Sequence, residues 1–355
     1  MNASDLSGWT PINLRWQNAC LTMDWCRLGD VRFTDPFFEQ TIAHALHDPA
    51  HLLFRRQTPV EILADLPHKQ PWLPPSGFIF HLSRCGSTLV AQMLAALPQN
   101  IVISEAPPID QVLGAHRRDP RITPDERIAW FRGLVAALGQ RRGGGERQLF
   151  IKFDSWHTLE LPLIREAFPE VPWIFLYRDP VEVMVSQHRQ RGVQMIPGIV
   201  DPRLFDFDPV AVAQMSLDEY CARVLARICV AASMHAQLGH GRLVNFRELP
   251  GVLWGSLGKF FGCNWTPADL ARMQLASQAD AKTPGLPHAD DTAEKQREAT
   301  DEIRRLAAVW LERPYAQLEM LRLAQPGAIG DPPALAASAV SSASSHSFTT
   351  QSITR

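Results

Sequence analysis

Apolar positions from residue 77 onward alternate between short continuous runs and runs with helical spacing. Val90, Met93, Leu94 and Leu97 recur at i, i+3, i+4 and i+7, one face of a helix that Pro98 ends. Because continuous apolar strands separated by helices are typical of a parallel sheet covered on both faces, we expect an α/β fold, a three-layer sandwich. The apolar runs predict strands at 78–82, 101–103, 149–151, 173–177 and 243–246, and further helices at 159–168, 181–189, 216–238 and 300–323.

The two ends of the chain differ from this central part. Residues 1–70 form an aromatic-rich N-terminal section with one predicted helix at 35–47 and no recognisable role. Residues 68–76 carry three prolines and are predicted to be a connector, because proline lacks a backbone donor. Residues 325–355 are rich in Ala, Ser and Pro and are predicted to be disordered. The domain between them is expected to span residues 77–323.

Composition excludes several classes of protein. Hydrophobic residues make up 46% of the chain and charged residues 20%, as in a globular protein with a core. A net charge of −2 argues against a general nucleic-acid binder. No run approaches the ~18 apolar residues of a membrane helix, and the N-terminus lacks a signal-peptide pattern. The six cysteines include no CxxC pair, so neither a disulfide framework nor a zinc site is expected, and the predicted location is the cytoplasm.

The segment 81–88, with the sequence HLSRCGST, joins the first strand to the first helix. A helix N-terminus exposes unpaired N–H groups and the positive end of the helix dipole, which makes it an anion site. Gly86 allows close backbone approach, and Arg84 adds a fixed positive charge. A nucleoside triphosphate loop would read GxxxxGK[ST], whereas Ser87 stands here in place of the lysine and His81 in place of the first glycine.

A second anion-binding arrangement follows the strand at 173–177. Arg178 ends that strand, and Asp179-Pro180 is a typical helix start. Ser186 lies eight residues after Arg178, on the helix. A guanidinium and a hydroxyl so placed can hold one phosphate together.

The two segments together resemble the sulfotransferase family, whose fold is related to that of the P-loop NTPases. The resemblance covers about residues 77–263, and it implies the donor 3′-phosphoadenosine 5′-phosphosulfate, the product adenosine 3′,5′-bisphosphate and no metal. It also implies that Arg178 and Ser186 bind the 3′-phosphate. The 5′-phosphosulfate would be held by Ser83, Arg84, Cys85, Gly86, Ser87 and Thr88, with Cys85 standing where serine is more usual.

One part of the family pattern has no clean counterpart here. The C-terminal Arg-Lys-Gly loop, which also holds the 3′-phosphate, is missing from the sequence. Lys282, Lys295 and Arg297 lie in a polar stretch that could serve instead, but we interpret them as solvated surface charges.

The resemblance also assigns candidate catalytic residues. Arg84 would stabilise charge in the transition state, and Lys152 resembles a lysine that follows the same strand in many sulfotransferases. Glu105, in Ser-Glu-Ala-Pro, resembles a glutamate that often acts as the general base. His157 and then Asp154 are rival bases, since both also follow a strand. The acceptor is expected to be a small molecule or a carbohydrate.

Two other functions stay open at this point. A kinase-like phosphotransferase would need a lysine in the loop, which is absent. A non-catalytic nucleotide-binding relative would keep Arg84, Arg178 and Ser186 without turnover. Cys85 is either a small residue that fills the loop or a reactive thiol activated by the helix N-terminus.

Overall fold

The computed structural model describes residues 6–17, 20–282 and 291–326. Two sheets and their flanking helices make up this part of the chain. The strands are β1 Trp9–Gln17, β2 Cys20–Arg27, β3 Arg55–Pro59, β4 Pro75–His81, β5 Asn100–Ser104, β6 Gln148–Lys152, β7 Trp173–Tyr177 and β8 Gly241–Asn245.

The helices alternate with the strands from β4 onward, and short 3₁₀ turns join several of them. None of the described helices is both long and apolar enough to cross a membrane. The α-helices are α1 Phe38–Ala45, α2 Pro49–Leu53, α3 Leu66–Lys69, α4 Ser87–Ala95, α5 Pro107–Leu113, α6 Pro124–Leu138, α7 Leu161–Ala167, α8 Pro180–Arg189, α9 Pro209–Val212, α10 Leu217–His235, α11 Gly258–Phe260, α12 Pro267–Ser277, α13 Thr292–Glu298, α14 Asp301–Trp310 and α15 Glu312–Leu323.

The central sheet is parallel throughout, with strand order β5-β6-β4-β7-β8. Every residue of β5 and β7 is buried, as expected for strands covered on both faces. The predicted α/β fold with a central parallel sheet is therefore confirmed. Because the strands run in one direction, the residues after β4, β5, β6 and β7 all meet at the same edge of the sheet.

The N-terminal section forms an antiparallel sheet of order β1-β2-β3, which the sequence did not predict. Side chains of the α/β part hold its first strand through two amide contacts. Gln111 of α5 accepts the backbone N–H of Leu14 at 2.6 Å. Gln140 accepts that of Gly8, also at 2.6 Å. The N-terminal section thus packs directly on α5 and the end of α6.

Several predicted boundaries need correction. The helix predicted at 300–323 is two helices that meet at Leu311, because Pro314 has no N–H to donate to the carbonyl of Trp310. The connector predicted at residues 68–76 is shorter in the structure, because α3 extends to Lys69 and β4 starts at Pro75. Helix α6 was not predicted, although Thr123 and Glu126 form a capping box whose sequence pattern indicates a helix start. The predicted tail lies almost entirely outside the described residues.

Candidate functional site

A cleft of about 500 Å³ opens at the edge where the parallel strands end. This volume is within the range of roughly 300–1,000 Å³ that is typical of small-molecule sites. Loop 83–88, Arg178 and Ser186 all line it, so the structure brings the two predicted anion-binding segments together. The other lining residues are Phe37, His81, Leu89, Glu105, Asp154, Ser155, Trp156, Gln190, Gly192, Val193, Gln194, Phe246, Asp280, Ala281, Lys282, Asp291 and Lys295.

Loop 83–88 has an unusual backbone. Ser83, Arg84 and Gly86 have φ values of 76°, 51° and 85°, in the left-handed region that non-glycine residues avoid. Gly86 is the N-cap of α4, and a Cβ there would lie 2.7 Å from the Leu249 side chain. Turns of this kind direct successive N–H groups toward one point and form anion-binding concavities. The loop and the first N–H groups of α4 therefore form a cradle of backbone donors that lines the cleft.

Arg84 lies at the rim of this cradle. Its guanidinium donates to the backbone oxygen of Gln190 at 2.5 Å and to the side-chain oxygen at 3.1 Å. These contacts fix the charge beside the loop, and both partners are neutral. The positive charge of Arg84 is thus not neutralised by Gln190.

Cys85 points away from the cradle into the core. Its Sγ donates to the backbone oxygen of Leu176 at 3.1 Å, and the residue is fully buried. Burial raises the pKa of the Cys85 thiol to about 11. The structure therefore favours a space-filling role over a reactive thiol.

This placement predicts how the native thiols react. All six cysteines are free, and only Cys20 among them is exposed. We expect a thiol reagent such as 5,5′-dithiobis(2-nitrobenzoate) to modify one cysteine quickly in the native protein and all six in urea. Cys85→Ser is expected to keep the fold, since serine can donate the same hydrogen bond. A second fast thiol that Cys85→Ser removes would contradict the buried placement.

Arg178, which also lines the cleft, is almost fully buried. Its Nε donates to Glu182 at 2.5 Å, and its terminal nitrogen donates to Asp291 at 2.7 Å. The guanidinium also stacks 3.9 Å from the centre of the Phe246 ring. Ser186 lies on the following helix, α8, where it is half-buried and lines the same cleft.

Lys295 corrects the interpretation of the polar stretch near residue 290. It is buried, and its Nζ lies 2.7 Å from the second oxygen of Asp291. The Asp291 carboxylate is therefore held between two cations, Arg178 and Lys295. Arg297 is exposed, as predicted, whereas Lys282 is a lining residue of the cleft.

A buried polar network ties the loop to the ends of the neighbouring strands. Lys152 Nζ lies 2.6 Å from Glu105 Oε1 and donates to Thr88 Oγ1 at 3.3 Å. The same Glu105 oxygen lies 3.2 Å from His81 Nε2, and His81 Nδ1 accepts the backbone N–H of Ser83 at 3.0 Å. Both ends of the loop are thereby fixed to β5 and β6. His81 was missed as a functional residue, although its place at the end of the first strand of the domain was a usable signal.

The three candidate bases have different surroundings. Glu105 lines the cleft but is paired with Lys152. Asp154 also lines the cleft. His157 is fully buried and is not among the lining residues, because its Nε2 is directed to Asp110 Oδ1 at 3.0 Å. The structure thus brings Glu105 and Asp154 to the cleft and places His157 behind them.

Part of the cleft is lined by residues for which no role was predicted from the sequence. Phe37, from the N-terminal section, lies with its ring centre 5.0 Å from Lys152 Nζ. Trp156 donates through Nε1 to Asp110 at 2.7 Å, which fixes its ring beside the opening. Gln194 donates to Ser155 Oγ at 3.0 Å. No local motif marks these residues, since they meet only through tertiary packing.

Among the described residues, no group of three or more His, Cys, Asp or Glu side chains is placed to hold a metal ion. None of the curated proteins compared with this chain matches it. Among solved structures, a sulfotransferase from Mycobacterium avium is 11% identical, with a TM-score of 0.43, over 70% of this chain and 78% of that one. One from Alicyclobacillus acidocaldarius is 14% identical, with a TM-score of 0.41, over 70% and 96%.

A sulfotransferase domain from the Synechococcus PCC 7002 olefin synthase is 18% identical, with a TM-score of 0.38, over 72% of this chain and 98% of that domain. Residues 75–197 match the family model described as "Sulfotransferase family". The match begins at β4 and includes loop 83–88, Arg178 and Ser186. Residues 75–197 of this chain therefore form a sulfotransferase-family domain.

Proposed function

We propose that this protein transfers a sulfuryl group from 3′-phosphoadenosine 5′-phosphosulfate to a hydroxyl or amine of a small-molecule or carbohydrate acceptor. One observation carries the proposal. A single cleft, lined in large part by residues of the sulfotransferase-family domain 75–197, joins the anion cradle of loop 83–88 to the buried arginine Arg178. A donor with a 5′-phosphosulfate and a 3′-phosphate needs an anion site at each end.

The 5′ end of the donor is assigned to loop 83–88. Sulfuryl transfer places demands similar to those of phosphoryl transfer, in which positioning and electrostatic stabilisation supply most of the catalysis. The cradle of N–H groups supplies fixed donors, and the hydroxyls of Ser87 and Thr88 lie at the start of α4. Arg84 adds a full positive charge that its neutral partner Gln190 leaves available.

The 3′-phosphate is assigned to the place that the Asp291 carboxylate now takes. Two oxygens of Asp291 lie 2.7 Å from Arg178 and 2.7 Å from Lys295, so this position already holds an anion between two cations. A phosphate carries more charge and more acceptor oxygens than a carboxylate, and it can use the guanidinium fork of Arg178. Ser186, on the same cleft, would add a hydroxyl donor.

The kinase-like alternative is less well supported by these contacts. Ser87 takes the place of the loop lysine of a nucleoside triphosphatase. The nearby Lys152 is fully buried and paired with Glu105. The non-catalytic alternative predicts nucleotide binding without turnover, which an experiment can separate from the proposal.

The test compares nucleotides by their effect on thermal unfolding and then measures turnover. Adenosine 3′,5′-bisphosphate is expected to raise the melting temperature, since a ligand at 100 times its Kd stabilises by about 2.7 kcal/mol. ATP with Mg²⁺ and adenosine 5′-monophosphate, which lack the 3′-phosphate, are expected to have little effect at equal concentration. Labelled donor should release adenosine 3′,5′-bisphosphate. Stabilisation by ATP–Mg²⁺ alone would favour the kinase-like function, and binding without product release would favour the non-catalytic one.

A further inference from the structure

We infer that Asp154 takes the proton of the acceptor during sulfuryl transfer and that His157 and Asp110, behind it, hold its carboxyl in position. This inference rests on the proposed function. It assigns a base other than Glu105, to which the resemblance first pointed, and it gives a role to a fully buried histidine that the donor site does not use.

Glu105 is poorly suited to accept a proton. Its Oε1 lies 2.6 Å from Lys152 Nζ and 3.2 Å from His81 Nε2. Burial by itself would raise the pKa of Glu105. The two neighbours outweigh burial and hold this pKa well below its usual value. A carboxylate so strongly stabilised in its ionised form is a weak base. Its contacts instead assign it the task of holding Lys152 and His81 against the loop.

Asp154 has the opposite environment. It follows β6 at the edge of the sheet, lines the cleft, and keeps 14% of its side chain exposed. Within 4.0 Å of its carboxyl, the described residues place no lysine or arginine, and His157 is the one ionisable partner. Burial, together with the negative charge of Glu105, raises the pKa of Asp154 to about 8. A base with a pKa near the working pH is the most effective kind.

His157 and Asp110 form the support behind Asp154. His157 Nδ1 lies 3.8 Å from Asp154 Oδ2 and 3.3 Å from the Asp154 backbone nitrogen, while Nε2 faces Asp110 Oδ1 at 3.0 Å. Trp156 donates to that same Asp110 oxygen at 2.7 Å. The charged groups that act on Asp154 are thus Glu105 of the β5 end, Lys152 of β6, His157 of the following turn and Asp110 of α5.

Every bond and proton in the transfer step is accounted for. A lone pair of the acceptor oxygen forms a bond to the donor sulfur, and the bond between that sulfur and the phosphate oxygen breaks. The electron pair leaves with adenosine 3′,5′-bisphosphate, and the acceptor proton passes to the ionised carboxylate of Asp154. Because only the ionised form of Asp154 accepts a proton, the transfer rate should rise with pH through about 8.

The experiment measures transfer from labelled 3′-phosphoadenosine 5′-phosphosulfate to water, 4-nitrophenol, phenol and benzyl alcohol. Asp154→Asn is expected to lower transfer to benzyl alcohol about 100-fold or more, in the range of general base catalysis. Transfer to 4-nitrophenol should fall much less, because its hydroxyl ionises without help. The variant should still bind adenosine 3′,5′-bisphosphate. Asp201→Asn, at a half-buried position that does not line the cleft, should match the parent in every arm.

The support is tested by the pH profile of a second variant. His157→Gln removes an imidazole whose charge lowers the pKa of Asp154, so the midpoint of the rate profile should move to higher pH. A purely structural role would lower the rate without moving the midpoint and would overturn the assignment of His157 as a positioning residue.

Failure of this inference can be told apart from failure of the proposed function. Equal losses for 4-nitrophenol and benzyl alcohol, or no loss in Asp154→Asn, would overturn the assignment of Asp154 while the parent still turns over. If the parent releases neither adenosine 3′,5′-bisphosphate nor a labelled ester in any arm, the proposed function fails, and this inference fails with it.

Discussion

Arg178→Ala is expected to weaken binding of adenosine 3′,5′-bisphosphate by about 100-fold or more. Hydrogen bonds to charged groups contribute roughly 1.5–3 kcal/mol each, and each 1.4 kcal/mol is a tenfold change in Kd. The effect should be large here because Arg178 is almost fully buried and its fork faces the cleft. Isothermal titration calorimetry at one fixed ionic strength measures it directly.

Two variants control this measurement. Arg189, at the end of α8, pairs on the surface with Glu294 and Glu298, so Arg189→Ala should leave the affinity unchanged. Asp291→Asn should act in the opposite direction and tighten binding, since it removes the carboxylate that competes for Arg178 and Lys295. Unchanged affinity in Arg178→Ala, with a folded protein, would remove the basis of the proposed 3′-phosphate site.

Breaking the buried pair of Lys152 and Glu105 is expected to have the largest effect on stability. Lys152 is fully buried, and Glu105 Oε1 lies 2.6 Å from its Nζ. Removing one partner leaves an uncompensated buried charge, which typically costs about 3–5 kcal/mol. We therefore expect Lys152→Met and Glu105→Gln each to lower the free energy of unfolding by that amount, measured by urea denaturation with the m-value checked.

The double variant distinguishes a charge effect from a packing effect. Lys152→Met with Glu105→Gln should be more stable than either single variant, because neither neutral side chain leaves a charge unpaired. Losses that simply add would show that the two residues stabilise the fold independently. Lys69→Met serves as the matched control, since Lys69 pairs with Asp65 on the surface and such pairs contribute about 0–1 kcal/mol.

Features formed by residues close together in the sequence were predicted, whereas features formed by residues far apart in the sequence were missed. Loop 83–88 and the pair of Arg178 and Ser186 are each contained in one strand–helix unit. Their residue types and spacing therefore sufficed to predict them from the sequence. Hydrophobic periodicity likewise predicted β4 to β8 and the parallel sheet. The N-terminal strands were missed because their aromatic residues suggested a separate section, whereas they pair with one another and pack on α5.

Contacts between residues far apart in the sequence could not be predicted from it. Asp291 lies 113 residues after Arg178, and no periodicity or motif links the two. The same holds for Phe37, which comes to the cleft from the N-terminal section. Lys295 was interpreted as surface charge because a polar stretch is usually solvated, yet its pairing with Asp291 allows it to be buried.

The amino-acid sequence by itself determined the class of fold and the positions of the two segments that we propose to bind anions, because backbone periodicity and helix starts depend on neighbouring residues. Only the tertiary structure decided which charges in the cleft are already neutralised. Glu105 is held by Lys152, Arg178 is held by Asp291, and Asp154 has no lysine or arginine partner among the described residues. The reactivity of a carboxyl or a guanidinium depends on its burial and on its nearest charges, and folding brings those charges from strands and helices far apart in the chain.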